Sequence, residues 1–177
     1  MRCARYCKII VLLVFFLSVP VLAFGLELES PAFNAGETIP VRYTGQGENI
    51  SPELMWSDVP EGTKSFVLFL DDPDAPMGNW IHWVVFDIPG NVTKLEEDIP
   101  KKHVFADGMK QGMNSFRWVG YGGPCPPPGP AHRYIFSLYA LDTVLDLKPG
   151  ATKGEVVRTM QGHILASNRL TGMFGRK

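Results

Sequence analysis

Short runs of apolar, branched and aromatic residues, separated by turn signals, dominate the chain after its first two dozen residues. The clearest runs are Ser65 to Leu70, Ile81 to Ile88 and His132 to Leu141. Their length and composition are typical of β-strands. Several are apolar at successive positions, which is typical of strands buried on both faces of a layered structure. Two weaker runs, 40–43 and 115–119, are also predicted to be strands.

The period of two along a strand assigns side chains to faces. In the run 81–88 it places positions 82, 84 and 86 on one face and positions 83, 85 and 87 on the other. In the run 132–141 it places His132 and Tyr134 together and sends Arg133 to the opposite face.

One stretch has the pattern of a long helix. Thr152 and Glu155 have the spacing of a capping box, in which each side chain accepts a backbone N–H of the first turn. Apolar residues follow at helical spacing, namely Val156, Val157, Met160, Ile164 and Leu165. A shorter helical turn is expected near 95–98. Strands and helices do not alternate, so the pattern predicts a mostly β fold with a C-terminal helix.

The first 23 residues have the layout of a secretory signal peptide. Basic residues in positions 1–8 precede the apolar run 9–19, and cleavage is expected after Ala23, with Gly25 as a second option. The prediction is an exported, periplasmic or extracellular protein whose residues 24–177 form one domain. An uncleaved membrane anchor is the alternative.

Composition and charge narrow the class of protein. A length of 177 residues predicts about one domain, and the formal charge of −1 gives no reason to expect nucleic-acid binding. Cys125 is the one cysteine after the predicted signal peptide, so no internal disulfide is expected. Its thiol is either reactive or a small, partly buried side chain.

Three segments concentrate residues that carry chemistry. The first, 71–76, holds three carboxylates in four positions and two prolines that stiffen it. It is either part of a binding site or an ordinary acidic turn. The second is His82, a ligand-binding or a structural histidine at a strand start. The third is the Gly- and Pro-rich loop 122–129 with His132 and Tyr134 after it, which predicts a small concave polar site or an ordinary surface loop.

The common catalytic signatures are missing from the sequence. It contains no G-x-S-x-G, no H-E-x-x-H, no P-loop and no dinucleotide-binding glycine motif. We therefore expect no enzymatic activity, no cofactor and no metal site.

The segment Asp72-Pro73-Asp74-Ala75-Pro76, then His82, the loop and His132-Arg133-Tyr134, closely resembles the phosphatidylethanolamine-binding protein (PEBP) family, also called Raf kinase inhibitor protein-like. Segments 30–33 and 47–52 are similar to its bacterial and archaeal branch. The resemblance covers residues 26–176. It implies a large antiparallel sheet packed against a smaller sheet, with peripheral helices that include the C-terminal one.

The resemblance also implies a pocket for a small anionic or zwitterionic phosphate, such as phosphate, phosphoethanolamine or a phospholipid headgroup. Carried over by position, its ligand-binding residues are Asp72, Asp74, His82, Gly123, Pro126, His132 and Tyr134. In our hypothesis the histidines, the tyrosine hydroxyl and backbone N–H groups around 122–123 hold the anion. One carboxylate orients a histidine and the other meets an ammonium. Charged histidine favours an anion, so binding should weaken as pH rises.

Two other functions stay open. The loop 122–131 is a candidate contact surface for a protein partner, as in an inhibitor of an extracytoplasmic hydrolase. A hydrolase that uses the aspartates and histidines of the pocket is the remaining alternative. A homodimer is also left open by the sequence.

Overall fold

The computed structural model describes residues 25–176. The predicted signal peptide, and its alternative as a membrane anchor, lie outside the described residues. Within residues 25–176, no helix has the length and apolar character needed to cross a membrane.

Two sheets make up most of the described chain. One has the strand order β1-β2-β5, and the other has the order β8-β6-β4-β3-β7-β9 with a parallel pair only between β6 and β8. This arrangement confirms the predicted mostly β fold with a larger and a smaller sheet. The strands are β1 (Glu27–Glu29), β2 (Leu54–Ser57), β3 (Ser65–Asp72), β4 (Trp80–Pro89), β5 (Lys94–Leu95), β6 (Lys110–Met113), β7 (His132–Leu141), β8 (Gly150–Thr152) and β9 (Ile164–Phe174).

The larger sheet is buried on both faces. One face packs against the smaller sheet, with Phe66 and Leu68 of β3 in a cluster that also contains Trp56 of β2. The other face carries Val67 and packs against Val156 of the helix α1 (Lys153–Met160). Every residue of β3 is buried, as its continuous apolar run predicts for a central strand.

The three strongest strand predictions are confirmed by β3, β4 and β7, but the weaker predictions are wrong. Residues 41–43 form a 3₁₀ turn after Pro40. Residues 94–95 form β5 where a helical turn was expected. The segment 115–119 is a turn because the Asn114 side chain accepts the N–H groups of Phe116 and Trp118 at 3.0 and 3.3 Å.

The predicted helix begins with the predicted capping box, which joins Thr152 and Glu155, but it ends at Met160. Gly162 follows with φ +83°, a conformation that stops a helix. The expected continuation through Ile164 and Leu165 is wrong, since these residues begin β9, which pairs with β7 along almost its whole length. The described chain therefore ends in a strand.

Two irregularities in β4 change its faces. Leu70 pairs with Trp83 and Asp71 pairs with Ile81, so His82 is an extra residue between these two pairs. As a result His82 turns toward Tyr134, on the same face as Trp83. The predicted grouping of positions 82, 84 and 86 is therefore wrong at its first member.

A second irregularity lies at the other end of β4. The register between β3 and β4 shifts again there, and Asp87 has φ +55°. Its carboxylate accepts the N–H of Leu145 at 2.8 Å, and Leu145 belongs to the cluster beneath the helix. Asp87 thus lies on the face opposite to Trp83, contrary to the prediction from the period of two.

Candidate functional site

A cavity of about 360 Å³ opens at one end of the larger sheet, where β3, β4 and β7 meet the loops after β3 and before β7. Its polar floor consists of four residues that are each at most 8 % exposed. Its apolar wall is formed by residues that, apart from the buried Pro126, are more exposed than the floor. The floor contains Asp72, His82, His132 and Tyr134, and the wall contains Ala75, Pro76, Met77, Trp80, Phe116, Pro126 and Pro127, with Cys125 beside them.

A carboxylate orients the first histidine of the floor. The Nδ1–H of His132 donates to Oδ2 of Asp72 at 2.8 Å, and both side chains are buried. The other carboxylate oxygen accepts the N–H of Asp74 at 2.9 Å. The pair fixes Nδ1 as the hydrogen-bearing nitrogen and leaves Nε2 of His132 for a ligand. The hypothesis that one carboxylate orients a histidine agrees with this geometry.

A backbone carbonyl orients the second histidine. Nδ1–H of His82 donates to the oxygen of Gly122 at 2.6 Å, and the ring packs edge-on against Tyr134 and Phe116. Burial lowers the pKa of His82, against smaller opposite effects of the Gly122 oxygen and the nearby charge of Asp72. The neutral ring presents Nε2 as an acceptor, which becomes a donor on protonation.

Tyr134 carries an unpaired polar group. Its side chain is fully buried, and its hydroxyl has no hydrogen-bond partner among the described residues. Burial, followed by the nearby charge of Asp72, raises the pKa of Tyr134, so the hydroxyl keeps its proton. A buried hydroxyl without a partner costs free energy unless something binds it. Tyr134 is a residue of the cavity lining, next to Asp72.

Asp74 lies outside the cavity lining. Its carboxylate binds Arg133 through three hydrogen bonds, from the backbone N–H, Nε and Nη2, at 2.9, 2.9 and 2.6 Å. These bonds lower the pKa of Asp74 to about 2. Since Asp72 orients His132, Asp74 is the carboxylate left to meet an ammonium, and this geometry does not fit that role. Instead, the ion pair fastens the loop that contributes Ala75, Pro76 and Met77 to the wall.

The glycine loop is also placed differently from the hypothesis. The N–H of Gly122 donates to the oxygen of His82 at 3.0 Å, and that of Gly123 donates to Oδ1 of Asn49 at 2.7 Å. Gly123 does not line the cavity, and neither N–H is available for an anion. A Cβ on Gly123 would lie 2.5 Å from the Tyr43 oxygen, so this position requires the close approach that glycine permits.

Five of the seven predicted site residues lie together in the lining, namely Asp72, His82, Pro126, His132 and Tyr134. The prediction missed most of the wall. Trp80 and Phe116 meet edge-on at 5.4 Å, and Met77 is 90 % exposed at the mouth. In the sequence, the only hint of Met77 as a wall residue is its position directly after the acidic, Pro-containing segment 71–76. Nothing in the sequence pointed to Phe116 as a wall residue, because the segment 115–119 was predicted to be a strand.

The described residues contain no group of three or more His, Cys, Asp and Glu side chains that could hold a metal ion. Cys125 is a free, exposed thiol.

Comparison with known proteins agrees with the fold. The family model for phosphatidylethanolamine-binding proteins matches residues 29–175. A UPF0098 protein of Methanothermobacter thermautotrophicus is 52 % identical over 85 % of this chain and 99 % of its own length. A UPF0098 protein of Aquifex aeolicus is also 52 % identical, over 85 % of this chain and 89 % of its own length.

Solved structures show the same relationship. The crystal structure of a protein described as a PEBP homologue from Chlamydia trachomatis is 41 % identical, with a TM-score of 0.79 over 86 % of this chain and 99 % of that one. Escherichia coli YbcL, described as a member of the mammalian PEBP family, is 34 % identical, with a TM-score of 0.78 over 87 % of this chain and 100 % of that one. With the family model matching most of its length, the chain belongs to the phosphatidylethanolamine-binding protein family.

Proposed function

We propose that this protein binds a small anion, a phosphate or phosphate monoester, in the cavity at the end of β3, β4 and β7. The observation that carries the proposal is the unpaired, fully buried hydroxyl of Tyr134 in the lining. Next to it, the two histidines of the floor have their Nδ1 atoms engaged by Asp72 and the Gly122 oxygen. An anion would accept hydrogen bonds from the hydroxyl and from Nε2–H of each protonated ring.

The acidic residues do not argue against an anion. Both oxygens of Asp72 already accept hydrogen bonds, and the charge of Asp74 is paired with Arg133 outside the cavity. Burial lowers the pKa of His82, and a bound anion would favour its protonated form. Binding should therefore weaken as pH rises through the histidine range.

The proposal includes export of the protein, which depends on the signal-peptide pattern of residues 1–23. Detection of the chain, shortened by about 23 residues, in an extracytoplasmic fraction would support this part. Recovery of the full-length chain in the cytoplasmic fraction would refute it.

Isothermal titration of the purified protein with inorganic phosphate at about pH 6 tests the binding function. We expect saturable binding that His82→Gln weakens at least about tenfold, because the glutamine amide can still donate but cannot acquire the positive charge of a protonated histidine. His163→Gln is the matched control, since His163 is exposed and pairs with Asp142 at 2.8 Å outside the cavity. An absence of binding at millimolar phosphate, or an equal loss in both variants, would contradict the proposal.

Hydrolysis is the second candidate, and the Asp72–His132 pair favours it. A carboxylate that holds Nδ1–H of a histidine leaves Nε2 placed as a general base. Incubation with p-nitrophenyl phosphate and p-nitrophenyl acetate separates the two functions. We expect both esters to remain unchanged. Turnover by the wild-type protein that is lost in His132→Gln would establish that the protein is a hydrolase.

A further inference from the structure

A second cavity, of about 510 Å³, lies beside an aromatic stack that borders the first. The rings of Phe116 and Trp118 stack with centroids 4.8 Å apart and planes 15° apart. Phe116 belongs to the lining of the first cavity, whereas Trp118 belongs to the lining of the second. The other residues of the second lining are Asn49, Lys101, His103 and Val119. The proposed function makes no use of the second cavity.

Trp118 is an exposed indole on a fixed support. The residue is 41 % exposed, although Phe116 packs against one face of its ring. The Asn114 side chain accepts the backbone N–H of Trp118 at 3.3 Å. A Cβ on Gly122 would lie 2.7 Å from Cε2 of Phe116, so the missing side chain makes room for the stack. A large aromatic side chain that is both held in place and exposed is typical of a binding surface.

Three side chains of this lining carry donor groups. Nζ of Lys101 lies 5.7 Å from the ring centroid of Trp118 and forms no ion pair with any residue of 25–176. Oδ1 of Asn49 accepts the N–H of Gly123 at 2.7 Å, which leaves the NH₂ group of this amide as a donor. His103 adds a ring that carries an N–H in either neutral tautomer.

The charge of this lining is positive. Among the described residues, none of those that line it carries a carboxylate. The acid next to Asn49 in the sequence, Glu48, pairs with Arg42 at 3.3 Å, and Glu97 pairs with the same arginine at 3.1 Å. The ammonium of Lys101 therefore stands beside an aromatic surface without a neutralising acid. One cation of this kind matches a ligand with a single negative charge.

We propose that the second cavity is a separate binding site for a small aromatic carboxylate. The planar ring of the ligand would pack on the exposed part of Trp118, and its carboxylate would pair with the ammonium of Lys101. The donors of Asn49 and His103 supply further hydrogen bonds to the carboxylate. The site is independent of the first cavity and of the phosphate function proposed for it.

Matched ligands test the ring and the charge separately. Isothermal titration with 1-naphthoate should show saturable binding. The amide 1-naphthamide keeps the ring without the charge, and decahydro-1-naphthoate keeps the charge and the carbon skeleton without the aromatic system. Each should bind at least about fivefold more weakly than 1-naphthoate. In NMR spectra the indole N–H of Trp118 should shift on binding, whereas that of Trp80, in the first cavity, should not.

Two adjacent lysines supply a variant and its control. Lys101→Met removes the ammonium but keeps an apolar stem, which matters because a Cβ on Gly120 would lie only 2.9 Å from Cγ of Lys101. Lys102 is also exposed, but its Nζ lies 4.4 Å from the ring centroid of Phe105, and it is not part of the lining. Lys101→Met should weaken 1-naphthoate binding at least about fivefold, and Lys102→Met should change it less than about twofold.

Competition separates the second site from the first. Saturating inorganic phosphate should leave the affinity for 1-naphthoate within about twofold of its value without phosphate, since the two ligands occupy different cavities. No binding at millimolar 1-naphthoate, displacement by phosphate, a shift of Trp80 in place of Trp118, or an equal loss in both lysine variants would overturn the second site. The phosphate titration by itself decides the proposed function, so the two proposals can fail separately.

Discussion

Two neighbouring carboxylates at the end of β3 face opposite sides of the larger sheet, and their surroundings differ. On the helix side, Asp71 pairs with Lys153 of α1, whose ammonium lies 5.0 Å from the ring centroid of Phe69. On the cavity side, Asp72 pairs with His132 beside the unpaired hydroxyl of Tyr134. Both acids are less than 10 % exposed.

The comparison shows that burial of a carboxylate is not by itself a sign of function. The partner of Asp71 is a lysine supplied by the helix that covers this face, and apolar side chains fill the rest of the space. The partner of Asp72 is a histidine at the start of β7, and an open cavity lies next to the pair. The helix side has the features of a structural ion pair, and the cavity side has those of a binding site.

The largest expected effect separates the two sides by stability. Lys153→Met would leave Asp71 buried without its cation, and one oxygen of Asp71 already lacks a partner in the part of the chain that the structure describes. We expect the free energy of unfolding in urea to fall by about 3 kcal/mol. The affinity for phosphate at a temperature where the variant is folded should stay within about twofold of the wild-type value.

The double variant Asp71→Asn with Lys153→Met is the control for this prediction. It removes both charges and should recover most of the lost stability, since the cost comes from an isolated buried charge. A tenfold loss of phosphate affinity in the single variant would show that the two faces are coupled and would end the comparison.

A pair of tyrosines gives a smaller, two-sided effect. Both Tyr134 and Tyr121 are fully buried, but the hydroxyl of Tyr121 donates to the oxygen of Tyr43 at 2.6 Å. Tyr134→Phe removes a hydroxyl that has no partner within residues 25–176, so stability should stay unchanged or rise slightly, while phosphate affinity falls about tenfold. Tyr121→Phe should lower stability by about 1 kcal/mol and leave the affinity unchanged.

Urea unfolding and isothermal titration of both tyrosine variants check this prediction. If a variant gains folding stability and loses ligand affinity, the group that was removed is retained for binding and not for the fold. If Tyr134→Phe lowers stability as much as Tyr121→Phe does and leaves phosphate binding intact, the Tyr134 hydroxyl has a structural role.

The parts of the fold that the sequence predicts correctly are those with local causes. The runs that became β3, β4 and β7 are apolar because central strands bury both faces. The capping box of Thr152 and Glu155 is also a local signal. The end of the helix was wrong because the apolar positions at Ile164 and Leu165 fit helical spacing, while pairing with β7, a distant segment, decides their structure.

The site was predictable as a set of residues but not as a geometry. The family resemblance pointed to Asp72, His82, His132 and Tyr134, which the structure brings together. The strand face predicted for His82 was wrong, because a bulge adds a residue to β4 and reverses the alternation of side chains. The partner of Asp74 was missed as well. Arg133 was assigned to the opposite strand face, but nothing in a linear sequence joins it to an acid in another loop.

The smallest expected effect is a dependence of the folding stability on pH, and it belongs to His82 on the cavity side. Burial lowers the pKa of His82 in the folded protein, so the unfolded chain binds this proton more readily. The free energy of unfolding should therefore fall as pH drops below about 6.5, the ordinary histidine value. In His82→Gln this part of the fall should disappear. Saturating phosphate should also diminish it in the wild-type protein, since the anion stabilises the proton on His82 of the folded state.

Urea unfolding of both proteins from pH 7.5 to 5, with and without phosphate, measures the effect. Identical pH profiles for the two proteins would mean that His82 does not titrate between the folded and unfolded states in this range.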